Sequence, residues 1–320
     1  MLLAVASLVF AVIPMTGFLW IVWMMDRYDR EPIGLLFKNF LWGAIGAIFF
    51  GIVFSVVFSS ALGTNNFGDA IFIAPIVEEI AKGVFLLYTA TRREFDNITD
   101  GVVYGMAIGL GFGMTENFMY FLGASNVSEW VLLVVMRTIF SAVMHAMATG
   151  TFGAFVGFTK FHIRILRWPL RSVGLFLAMG MHFFWNYSVS VNDPGAAYIG
   201  SLFIFLSFLV IIIVFQLSLL SESRLIQKEL SEEITSGLMP ATHLQYLPYS
   251  SKRRLIGWLP VTINRKQYIQ LATNLAFRKF QSKHCKEKER ASYEEEIATI
   301  RTKIHEVLLA EKQSAAAQLF

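Results

Sequence analysis

Leu2–Met25 reads LLAVASLVFAVIPMTGFLWIVWMM, an apolar run without one ionisable side chain. Coiled as an α-helix at ~1.5 Å per residue it is about 36 Å long, enough to cross the ~30 Å hydrocarbon core of a bilayer. No charged n-region precedes it, so it reads as an uncleaved transmembrane helix rather than a secretory signal. Runs of similar length follow at roughly 34–58, 70–91, 101–122, 130–158, 169–190 and 197–220. The third, fourth and fifth of the seven contain charged residues. The expected fold is therefore all-α: a polytopic membrane bundle of about seven transmembrane helices, with a soluble helical C-terminal tail.

Charge is distributed as that division requires. The chain is 55% hydrophobic, with net charge +4 and a mean hydropathy of +0.56. Residues 1–220 hold eleven basic and twelve acidic side chains, and residues 221–320 hold sixteen and eleven. The two expected domains are thus a transmembrane domain over 1–220 and a cytoplasmic, mostly helical tail over 221–320. The tail's mild positive excess suits a segment beside an anionic leaflet and is too scattered for nucleic-acid binding. A single cysteine, Cys285, excludes an internal disulfide framework and a Cys-rich metal site.

Basic residues flank alternate connections. Arg27, Arg30 and Lys38 lie at the first, Arg92 and Arg93 at the third, and Lys160, Arg164, Arg167 and Arg171 at the fifth; the second, fourth and sixth have none. Seven spans with the N-terminus outside and the tail in the cytoplasm produce this alternation. The chain is expected in the cell membrane as a multi-pass protein.

An ionisable side chain at bilayer depth costs about 2.5–3.5 kcal/mol on insertion scales, so such residues usually mark a functional interior. Here they are Glu78, Glu79, Lys82, Glu116, Arg137, His145 and His182. Glu78 and Glu79 both lie within helical reach of Lys82, at i,i+4 and i,i+3. One lysine neutralises one carboxylate, leaving the other available as a base; a structural ion pair has no use for the surplus charge. Glu116 and Asn117 close the fourth span, where simple solvation near the surface is the plainer alternative. Arg137, Ser141, His145 and Thr149 step by four along the fifth span as a polar stripe. His182 and Asn186, also four apart, offer an imidazole and an amide on one face of the sixth. Packing alone explains each of these singly. Gathered from four helices, Glu78, Glu79, Glu116, His145, His182 and Asn186 form an inventory for activating a water and stabilising an oxyanion. Ser141 has no triad partner, and aspartate is nearly absent from the span interiors. The fourth span also carries Gly101, Gly105, Gly109 and Gly113, a spacing that lets helix backbones approach closely in lipid.

These motifs, P-x-x-E-E-x-x-K at Pro75–Lys82, D-G-V-V-Y-G-M-A-I-G-L-G-F-G-M-T-E-N at Asp100–Asn117, R-x-x-x-S-x-x-x-H at Arg137–His145 and H-F-F-W-N at His182–Asn186, resemble the PrsW family of intramembrane proteases in content and order. The loop D-R-Y-D-R-E-P at Asp26–Pro32 is similar to that family's acidic, proline-containing loop. The likeness runs from about residue 20 to 190. It implies a peptidase acting on membrane-anchored protein substrates, some family members acting on anti-sigma factors. It also implies kinship with the CAAX-prenyl endopeptidases, which are thought to use a glutamate-activated water. Glu116 stands here where those endopeptidases place a histidine, which leaves the glutamic and metal-dependent alternatives open. On the glutamic reading no cofactor is needed. On the other a divalent metal such as zinc is held by glutamate and histidine, without an H-E-x-x-H motif. The rival classes are a non-catalytic membrane scaffold or sensor and a transporter, the latter disfavoured by the absence of repeated halves. The expected partners are a membrane-anchored protein substrate and the lipid bilayer; nothing in the sequence names a partner for the tail.

Overall fold

The structure, a computed structural model, describes residues 2–161 and 165–317. Arg164, one of the flanking basic residues, lies outside them. Among the described residues every regular element is a helix. Helices α1 (Leu2–Met25), α2 (Ile33–Leu62), α3 (66–89), α4 (Ile98–Leu122), α5 (Val127–Phe161), α6 (Arg167–Ser190) and α7 (Pro194–Thr235) are followed by two short 3-10 turns and by α8 (Arg265–His284) and α9 (Glu287–Ala317). Four of them, α1, α2, α5 and α7, are long and apolar enough to cross a membrane. The polar residues singled out above sit on α3, α4, α5 and α6.

The chain divides into two compact units. The first comprises Met1–Asp26 and Glu31–Gln216, the second Arg27–Arg30 and Leu217–Phe320. Helix α7 runs unbroken from Pro194 to Thr235.

Within the first unit α4 is the central element. Its start is set by a capping box: the Asn97 side chain accepts from the Asp100 N–H (3.0 Å) and Asp100 accepts from the Asn97 N–H (3.3 Å), which satisfies two otherwise orphaned donors. Thr99 to Gly105 and Ala107 to Gly113 are buried without a break. The glycine stripe explains how. A Cβ on Gly101, Gly105 or Gly109 would fall inside contact distance of the carbonyls of Gly153, Thr149 and His145 on α5, and one on Gly111 would strike the Phe40 carbonyl on α2. The helix thus meets its neighbours backbone to backbone, as small residues permit in lipid. Gly109→Val is therefore expected to force α4 and α5 apart at a cost of about 1–3 kcal/mol or more. Gly180→Val, with nothing within 4 Å of its Cβ, is the neutral control. Thermal midpoints and monodisperse yield in detergent compare the two, and equal stability would contradict this packing.

Three helices carry a widened π turn, at Trp42–Ala47, Asp69–Ile73 and Arg137–Ser141. Such turns insert one residue and rotate the remainder of the helix, and they concentrate at functional sites. The second lies immediately before Pro75, whose ring clashes with the carbonyl one α-turn back and whose missing N–H breaks the ladder.

The second unit has its own core, built around Ile226, Leu230, Leu247, Tyr268, Leu275 and Ile304. Lys279 is buried in this unit and lies 2.9 Å from Glu232 and 2.6 Å from Glu233, while Arg301 lies 2.7 Å from Glu233.

Candidate active site

Helix α3 places Glu78, Glu79 and Lys82 on its inward side. Lys82 is fully buried, and its Nζ donates to Glu79 Oε1 at 2.7 Å while lying 3.9 Å from Glu78 Oε2. The i,i+3 carboxylate is thus the close ion-pair partner. Helix α6 adds His182, whose Nδ1 is 3.0 Å from Glu79 Oε1. Helix α5 adds Thr149, donating to Glu79 Oε2 at 3.3 Å, and His145, whose Nδ1 is 3.1 Å from Lys82 Nζ. Helix α4 adds Glu116, 2.6 Å from His145 Nε2. Arg137 Nη2 lies 2.7 Å from Glu116 Oε2, its Nε donates to Asn117 Oδ1 at 3.2 Å, and its guanidinium covers the Tyr120 ring at 3.6 Å. The Phe112 ring lies 3.8 Å from Lys82 Nζ.

Hydrogen-bond logic fixes the tautomers along this chain. An ammonium only donates, so His145 Nδ1 accepts from Lys82 and its proton sits on Nε2, donated to Glu116. The Glu79 carboxylate only accepts, so His182 carries its proton on Nδ1. His182 Nε2 is left with a lone pair, 3.9 Å from Glu78 Oε2. Glu78 Oε2 itself is buried and has no hydrogen-bond partner. Three carboxyl groups face two cations, and Glu78 is the one without a close cationic partner. A buried carboxylate oxygen left unpaired is an energetically expensive arrangement, kept where something else is meant to bind.

Glu78 also opens on a cleft of about 370 Å³, walled by Gly51 and Ser55 of α2 and by Asn66, Asp69, Ala70 and Ala74 of α3. Gly51 keeps it open at the carboxylate, because a Cβ there would lie 3.3 Å from Glu78 Cγ. Asn186 borders this region from α6. Its Nδ2 donates to the Ala70 carbonyl at 2.8 Å, in the π turn of the wall. One donor of the amide expected to face an oxyanion thus holds backbone. Ser141 is buried on α5. The cleft walls escaped the sequence reading; the small-residue pair Gly51 and Ser55, four apart, is the signal that would have found them.

Glu78, His145 and His182 each offer a ligand atom, and these atoms lie within 4.8 Å of one another. Carboxylate and imidazole are fitting ligands for zinc. Two of the three donors are free; His145 has both nitrogens engaged and would have to release Glu116 or Lys82.

Comparison with known proteins bears on the same region. The family described as PrsW family intramembrane metalloprotease matches residues 31–216. The chain is 26% identical over 192 residues to the protein named Protease PrsW of Geobacillus kaustophilus, covering 59% of this chain and 82% of that one. It is 27% identical over 142 residues to Protease PrsW of Bacillus subtilis (43% and 62%) and 29% identical over 160 residues to that of Clostridioides difficile (47% and 65%). No solved structure matches.

Proposed function

Since this chain belongs to the PrsW family of intramembrane proteases, its family profile covering 31–216, we propose that it hydrolyses peptide bonds of membrane-anchored proteins with a water activated by Glu78. The carrying observation is that Glu78 lines an open cleft, while its Oε2, alone among the site's carboxylate oxygens in being buried without a hydrogen-bond partner, lies 3.9 Å from the unengaged His182 Nε2.

A water between Glu78 Oε2 and His182 Nε2 has two acceptors 3.9 Å apart, a separation one molecule bridges with both hydrogens. Glu78 removes one proton as the water oxygen attacks the scissile carbonyl. The developing oxyanion is stabilised by the Lys82 ammonium, and Glu78 returns the proton to the amide nitrogen as the C–N bond breaks. Glu79 orients both Lys82 and His182, while Glu116 and Arg137 hold His145. Asn186 is a positioning residue for the cleft wall through Ala70.

The metal-dependent reading keeps one specific support, the Glu78, His145 and His182 cluster. A divalent cation held there would act as a Lewis acid toward water or the scissile carbonyl. The Lys82 ammonium beside His145 Nδ1 favours the metal-free reading. Purified protein is therefore expected to carry substoichiometric zinc and to resist 1,10-phenanthroline. One equivalent of zinc, lost together with activity on chelation, would reverse that order.

We read the first unit as a seven-span bundle with the N-terminus outside, residues 1–220 being the protease domain and 221–320 a cytoplasmic tail. The alternating basic connections support this. Reporter fusions at Gly63 and Ser125 should report outside and a fusion at Asn97 inside; cytoplasmic signals at the first two would overturn it.

A further inference from the structure

The stretch from Ile234 to Lys286 contains nine Lys or Arg residues and no Asp or Glu. Arg278, Lys279 and Lys283 within it are absorbed by ion pairs to glutamates outside it. The segment 249–266 keeps most of the rest, and its side chains divide between the core and the surface. Arg253, Trp258, Leu259 and Ile263 turn into the core of the second unit. Leu255, Ile256 and Val261 turn out, at 52%, 91% and 103% exposure. Lys252, Arg254 and Lys266 of the same segment are exposed as well.

The segment is firmly held. Arg253 donates to the Leu247 carbonyl at 2.7 Å and to Thr273 Oγ1 at 2.9 Å, and Trp258 stacks on Tyr246 at 5.0 Å between centroids. Gly257, with φ +92, makes the turn that sends Ile256 out and Trp258 in. Large aliphatic side chains are thus displayed on a hydrogen-bonded segment that also exposes Lys252, Arg254 and Lys266, a combination suited to a bilayer interface.

Connectivity supplies the location. Tyr28 follows the last residue of α1, Met25, by three residues, at most about 10 Å of chain. Its hydroxyl donates to the Pro248 carbonyl at 2.9 Å, and the Arg253 guanidinium lies 4.8 Å from its ring. The base of the segment is therefore tied to residues that leave the end of a helix able to cross the membrane.

We propose that 249–266 is a lipid-docking element that seats Leu255, Ile256 and Val261 in the headgroup layer of the membrane the protein spans, with Lys252, Arg254 and Lys266 on anionic lipid phosphates. This binding surface is independent of the Glu78 site. It rests on the spanning of the membrane by α1 and not on the proposed chemistry.

The test uses the full chain in nanodiscs of phosphatidylcholine alone or mixed with phosphatidylserine. Cys285→Ser removes the single native thiol, and Ile256→Cys or, separately, Val261→Cys carries a bimane label. Lipids spin-labelled near the headgroup should quench the label, and more strongly in the anionic discs. Each basic residue near an anionic leaflet is worth about fivefold in partitioning. Lys252→Glu with Arg254→Glu and Lys266→Glu should therefore bring quenching down at least to the phosphatidylcholine level, and high salt should weaken it. Two results would overturn the proposal. One is a label reached by aqueous iodide and not by lipid quenchers in either disc. The other is a label shielded from both, which would assign this face to a protein contact such as a second copy. Agreement of the two label positions separates docking from a local folding defect.

Discussion

Lys82→Met is expected to deplete the folded protein as well as its activity. The Lys82 ammonium is fully buried and is bonded to Glu79 and His145 at once. Without it Glu79 retains only neutral donors, His182 and Thr149, inside a low-dielectric bundle. Removing one partner of a buried ion pair costs about 3–5 kcal/mol, because the other charge stays behind. That is a large part of a typical folding free energy of about 5–15 kcal/mol. The pairing makes a sharper statement about the double variant. Glu79→Gln together with Lys82→Met leaves no orphaned charge in that pair, and the new amide oxygen can still accept from His182. Its level and thermal midpoint should exceed those of Lys82→Met alone, with a coupling energy of up to about 3 kcal/mol, while cleavage stays lost. Equal stability of the single and double variants would show that the close contact is not energetically real.

Glu78→Gln should behave in the opposite way, with full protein level and no cleavage. Glu78 Oε2 has no hydrogen-bond partner to lose, and Lys82 stays neutralised by Glu79 at 2.7 Å. The amide preserves size and shape but cannot take a proton from water. Loss of a general base lowers the rate by about 10²–10⁴-fold. Thermal midpoint and cleavage of a single-span substrate, measured on the same preparation, separate the two effects. A Glu78→Gln protein that cleaves near normally would move the base elsewhere. One that fails to fold would show that Glu78 is a structural partner after all.

The contrast between these neighbours was only half legible in the sequence. The apolar runs and the ionisable residues interrupting them are one-dimensional signals, so the membrane class and the inventory of Glu78, Glu79, Lys82, Glu116, His145 and His182 could be read directly. Which glutamate pairs with Lys82 could not, since i,i+3 and i,i+4 are both in reach on a helix. The choice is made by His182 and Thr149, which arrive from other helices and gather on Glu79. The π turns at Asp69–Ile73 and Arg137–Ser141 were invisible for a related reason: an inserted residue shows up as helix phase rather than as composition, and Pro75 was the one local hint. Asn186 shared a helical face with His182 as expected, yet its partner, the Ala70 carbonyl, belongs to a turn whose shape depends on that same phase. The four-residue glycine spacing of α4 announced close packing but not against which helix. The grouping of Arg27–Arg30 with the second unit rests on contacts more than two hundred residues apart in sequence, such as Tyr28 with Pro248.

The most direct test of Glu78 as the water-activating base is cleavage by purified protein in proteoliposomes of a library of single-span substrates, with products mapped by mass spectrometry. The predicted result is a new C-terminal carboxylate and a new amine at a bond within or beside the substrate's span, formed by the native chain and absent with Glu78→Gln at equal protein level. Products formed equally by both proteins would contradict the assignment.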